Sequence, residues 1–151
     1  MDLNPHLQAE HHALAAFVAL LETEQNTLLS GDTDLLLTLA ASKTEAVEKL
    51  NGLADARKNN LRSHGATAKD GTTGWLKAHA PTSLSVWLDI QKLAEQAQQL
   101  NRTNGLLIQN KLRYNQQALT ALSSVASHIH GLYGPDGQPH LSKPGRTLGS
   151  V

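Results

Sequence analysis

Residues 7–28 read LQAEHHALAAFVALLETEQNTL, and Leu7, Leu14, Leu21 and Leu28 recur every seven positions. Seven residues make two turns of a slightly underwound α-helix, so the repeat lines these leucines along one side, as in a coiled-coil seam. Ala13, Phe17 and Val18 fill neighbouring positions on that stripe. Upstream, Asn4 is a favoured N-cap and Pro5 suits the first helical position, where its missing N–H costs nothing. Downstream, Ser30-Gly31 is a stop. The expected helix covers residues 5–29 and is roughly 37 Å long.

The next residues, Asp32, Thr33 and Asp34, supply capping oxygens and negative charge for a second helix start. Leu35, Leu36, Leu39, Val47, Leu50, Leu53 and Leu61 follow at helical spacing, and Arg62, His64 and Gly65 make a C-terminal signature. This predicts a helix over 34–64, roughly 45 Å long. A link as short as Ser30–Thr33 makes the two helices antiparallel neighbours. Residues 65–82, with Gly65, Gly71, Gly74 and Pro81, read as a loop or short helix. In it Trp75 is expected to plug the bundle end, because large aromatics are mostly buried.

Thr82 or Ser83 is the expected cap of a third long helix over 83–132. Its apolar line runs Leu84, Trp87, Leu88, Ala94, Ala97, Leu100, Asn104, Ile108, Leu112, Asn115, Leu119, Leu122, Val125, Ile129 and Leu132. Asn104-Gly105 is a turn signal, but the apolar phase carries through it, so one unbroken helix of roughly 72 Å is expected. Residues 133–151 hold three Pro and four Gly with few aliphatics. They are expected to form a flexible tail after a single helical domain over 1–132.

Composition agrees with an all-α antiparallel helical bundle. Leu (27 copies) and Ala (19) dominate, and Val plus Ile number only eight; a sheet core would draw on β-branched residues instead. Thirteen basic and thirteen acidic residues cancel, which argues against nucleic acid as a partner. The absence of Cys excludes disulfides, thiolate zinc sites and thiol nucleophiles. No stretch reaches the roughly 18–20 apolar residues of a membrane span. Met1–Leu7 carries no Lys or Arg, unlike a secretory signal, so the expected location is cytoplasmic.

Enzyme chemistry finds no footing. Phosphate loops, HExxH and GxSxG are missing, and no Glu has a His three residues later, as a bundle di-metal site requires. Adjacent His11 and His12 cannot share a helix face, and His128 and His130 have the same difficulty. No cofactor is expected. Arg57, Lys58 and Arg62 read as favourable charge near a helix C-terminus. Asn101 and Asn104 lie near the seam of the long helix, where an Asn fixes register or meets a polar group of a partner.

The helix lengths carry the functional expectation. About 30 residues of the long helix can pair with the hairpin, so from about Tyr114 it should overhang the tip at Gly31. It still carries Leu119, Leu122, Val125, Ile129 and Leu132, and an exposed apolar stripe marks an interaction surface. Burying these five side chains would contribute up to about 7–15 kcal/mol before ordering costs. The alternative is a self-associating structural coiled-coil protein with no client.

The Leu-rich first helix, the Leu28-Leu29-x-Gly31-Asp32 turn, Lys43 and Arg57 on the second helix, the Asn101-x-x-Asn104-x-x-Leu107-Ile108 segment and the Tyr133-Gly134-x-x-Gly137 helix end together resemble the FlgN family of flagellar export chaperones. The resemblance covers roughly residues 1–138. It implies a cytoplasmic chaperone of flagellar type III export that holds hook–filament junction proteins of the FlgK and FlgL type unassembled. It also implies delivery to an export gate protein of the FlhA type. The resemblance places client binding in the C-terminal part, and a Tyr near that end, best matched by Tyr133 with Tyr114 as the alternative, at gate docking.

Overall fold

The computed structural model describes residues 3–132, with side chains described through residue 124. The described residues are all-α: α1 (Asn4–Ser30), α2 (Thr33–Ser63), α3 (Gly71–His79), a 3-10 turn (Pro81–Ser83) and a long α4 (Leu84–Leu132). They contain no strand. The chain divides into two compact units, Met1–Leu107 and Ile108–Val151.

The leucine heptad of α1 forms the core of the first unit. Leu7, Leu14, Leu21 and Leu28 are all buried, as is Val18. Leu61 of α2, Leu76 of α3, and Ile90 and Ala97 of α4 close the core around the first three leucines. Two ion pairs show that α1 and α2 are antiparallel: Glu10 meets Arg57, and Glu24 meets Lys43. Fourteen residues forward on α1 correspond to fourteen back on α2. Leu14 also lines an open cleft between the helices, so its surroundings can relax. Leu14→Ala is expected to cost roughly 2–3 kcal/mol, the lower part of the range for buried leucines, read from urea unfolding midpoints.

The turns follow local chemistry. Gly31 adopts φ 81°, a left-handed conformation suited to glycine, and donates its N–H to the Thr27 carbonyl at 3.0 Å. The Asp32 carboxylate then accepts from the Leu35 N–H at 3.2 Å and caps α2. At the far end of α2, Gly65 and Ala66 donate to Arg62 and Leu61 in a Schellman closure. Thr67 donates from its hydroxyl and its N–H to Asp70. These bonds, the hydroxyl's first, hold the Asp70 carboxyl below its usual pKa.

Several expected details shift. The N-cap of α1 is Leu3 rather than Asn4, so Pro5 is the second helical residue and the N-cap residue itself makes no side-chain hydrogen bond. The segment read as a loop or short helix does contain a short helix, α3, which starts at Gly71 and is pinned by the Trp87 indole N–H donating to Thr73 at 2.9 Å. Trp75 is partly buried against the core, stacked on His79 at 4.8 Å with His64 edge-on. In α2, Leu35 and Val47 of the expected seam are exposed. In α4, Leu88 and Ala94 face solvent, while Ile90, Ala97 and Asn104 are buried at seven-residue spacing.

The α4 helix runs unbroken through Asn104-Gly105. A Cβ on Gly105 would meet nothing within 4 Å, and its backbone is helical. Gly105→Ala is therefore expected to add about 0.5–1 kcal/mol of stability, measurable as a raised melting temperature.

Candidate functional site

Two polar layers cross the core of the first unit where a heptad pattern would place apolar side chains. Glu10 and Glu24 are buried on α1, two heptads apart. Glu10 pairs with Arg57, whose guanidinium carbon lies 4.5 Å from the centre of the Trp87 ring. Arg57 is thus a buried partner of Glu10, where only a favourable charge near a helix C-terminus was expected. A buried carboxylate is tolerable only when paired, and this one is held by a cation whose guanidinium rests on an aromatic ring. The second layer joins three helices. Glu24 accepts from Lys43 at 3.2 Å and from the Asn104 amide at 2.8 Å, and the same amide donates to the Leu21 carbonyl at 2.9 Å.

Of the two asparagines singled out in the sequence, the structure buries Asn104 completely and leaves Asn101 exposed. Asn104 reaches the Leu21 carbonyl on α1. It is the last buried residue of α4 among the described side chains. The acids of both layers escaped the sequence reading. Their signal was a Glu three residues after a heptad leucine, twice over, at Leu7/Glu10 and Leu21/Glu24.

In the second unit the described part of α4 is a polar helix with an apolar line. Ile108, Leu112, Leu119 and Leu122 are exposed, the last two at 66 % each. Leu119 and Leu122 are three apart and so share a helix face, with Leu112 two turns before Leu119. No residue of α4 from 108 to 124 is buried. Glutamine, asparagine, serine and threonine make up most of the remaining surface there. Large exposed leucines at this spacing offer an area whose only stabilising use is to be covered by another apolar surface. Val125, Ile129 and Leu132 continue the helix, but their side chains lie outside the described residues, as does all of Tyr133.

Nothing else in the described residues competes as a site. No group of three or more His, Asp or Glu is placed to hold a metal. His11 and His12 touch only edge-to-face, with centroids 6.0 Å apart. No helix among the described residues is long and apolar enough to cross a membrane. The clefts between helices are open and shallow. The one beside the Glu10–Arg57 pair, about 260 Å³, is walled by Leu14, Leu50, Ile90 and Trp87.

Comparison with known proteins gives a consistent result. A family model described as "FlgN protein" matches residues 1–140. Two curated relatives, each called "Flagella synthesis protein FlgN", come from Yersinia enterocolitica and from its serotype O:8 / biotype 1B strain. Each is 38% identical over 73 residues, which is 48% of this chain and 48% of the relative. The chain thus spans about half the length of the curated relatives it matches. No solved structure matches.

Proposed function

Because the chain belongs to the FlgN family, we propose that it is a non-enzymatic flagellar export chaperone, working in the cytoplasm, whose clients are hook-associated proteins of the FlgK and FlgL type. The observation that carries this reading is the solvent-exposed line of Leu112, Leu119 and Leu122 on α4. A client's amphipathic helix lays its apolar face along that line, extended by Val125, Ile129 and Leu132, and its own assembly surface is thereby covered. Asn104 supports the site from a distance by fixing the register of α4 on α1. Asn101, being exposed, is available to a polar group of the client.

Size measurement by light scattering tests this. The chain mixed with a FlgK-type protein should give a 1:1 complex. A dimer that ignores the FlgK-type protein would instead support the structural coiled coil.

Delivery to an FlhA-type export gate is assigned to Tyr133, at the junction with Gly134-Pro135. A Tyr at a helix end combines apolar area with a hydroxyl at low entropic cost and is a frequent hot spot. Tyr133→Ala should keep client affinity within about threefold, under roughly 1 kcal/mol. Gate binding by the chaperone–client complex should fall at least tenfold. Equal loss of both affinities in paired titrations would remove the separate role.

A further inference from the structure

The charges of this neutral chain are unevenly placed. Twelve of its thirteen Asp and Glu residues precede residue 96; the remaining one is Asp136. Residues 96–135 therefore contain no acid at all, while Arg102, Lys111 and Arg113 fall within them. A helix macrodipole disfavours acids only in the last turn, so it does not account for a gap of this length. Within the second unit, Lys111 and Arg113 stand on either side of Leu112, and neither forms an ion pair among the described residues. Helical geometry puts Lys111 beside the Leu119–Leu122 line and Arg113 further round the helix.

We infer that the apolar line of α4 is built for an acidic amphipathic helix: a protein segment with leucine-type residues on one face and Glu or Asp along its border. This rests on the client-binding reading above and specifies the client's chemistry. An acid-free surface meets no like-charge repulsion from such a partner, and Lys111 attracts it, so the gain is in selection and approach. A membrane surface fits less well. Helices that lie on anionic lipid carry many Lys and Arg on the polar face, whereas residues 108–124 carry only two, among Gln, Asn, Ser and Thr.

The test uses the full chain and two synthetic helical peptides with identical leucine faces, one flanked by Glu and one by Lys. At low salt the Glu peptide should bind at least tenfold tighter. In 0.5 M NaCl the difference should shrink to about twofold, because these charges are solvent-accessible and screened. Lys111→Glu with Arg113→Glu, both at solvent-accessible positions, should abolish or reverse the preference while circular dichroism stays unchanged. Equal binding of both peptides, with Leu119 and Leu122 still required, would overturn the charge inference and leave the client site standing. Binding of neither peptide would overturn both. Stronger binding to vesicles of 3:1 phosphatidylcholine and phosphatidylglycerol than to the Glu peptide would assign the surface to lipid instead.

Discussion

Arg57→Ala is expected to cost about 3–5 kcal/mol of folding stability, the usual penalty for stripping one partner from a buried ion pair. Glu10 would be left without its cation on the buried stripe of α1 that it shares with Leu7 and Leu14. The loss exceeds that of a leucine truncated beside an open cleft, because an unpaired carboxylate is added to the missing contacts. Replacing both partners by apolar residues, Glu10→Leu with Arg57→Met, should restore most of the stability or exceed it. Urea denaturation followed by Trp fluorescence reads both variants, and Trp87 reports on the pair directly because the guanidinium rests on its ring. A change under about 0.5 kcal/mol for Arg57→Ala, typical of a surface cation, would show that the pair is not buried in solution.

The other large effect is on binding. Leu119→Asp with Leu122→Asp should weaken a FlgK-type client at least about 100-fold, or roughly 2.7 kcal/mol. Each substitution removes apolar area from the contact and obliges a carboxylate to lose water when the client docks. In the free protein both positions are exposed, so helicity and the urea midpoint should hardly move. A large loss of circular-dichroism signal would instead make these leucines part of a folded core.

The fold was largely legible because its signals are local and repeated. The Leu7–Leu28 heptad, the Gly31 and Asp32 caps and the Gly65 closure each need only a few neighbouring residues to be read. The polar layers were harder. Glu10 and Glu24 look like ordinary charges on an amphipathic helix, and only the register between α1 and α2 brings Arg57 and Lys43 opposite them. Register is a long-range property set by the turn and by core packing together. The same limit affected α4, where Leu88 and Ala94 fit helical spacing around Ala97 and Asn104 as well as the buried Ile90 does. Asn104 and Asn101 are alike in sequence, and only the position of Leu21 and Glu24 separates them.

The exposed apolar stripe was legible for a different reason. An apolar stripe on a long helix can be seen in sequence, and its exposure at Leu112, Leu119 and Leu122 is a matter of what does not pack on it. The acidic partner proposed for that surface rests on the charge map as well as on the hydrophobic pattern.

Hydrogen–deuterium exchange of the free chain and of its complex with a FlgK-type protein tests the central claim most directly. An exposed helix opens locally at little cost and exchanges fast, while a covered one is protected. The account predicts new protection in α4 across residues 112–132 and unchanged exchange in residues 7–28 of α1. Protection that appears on α1 and α2, with 112–132 exchanging as fast as before, would contradict it and move the client site to the hairpin.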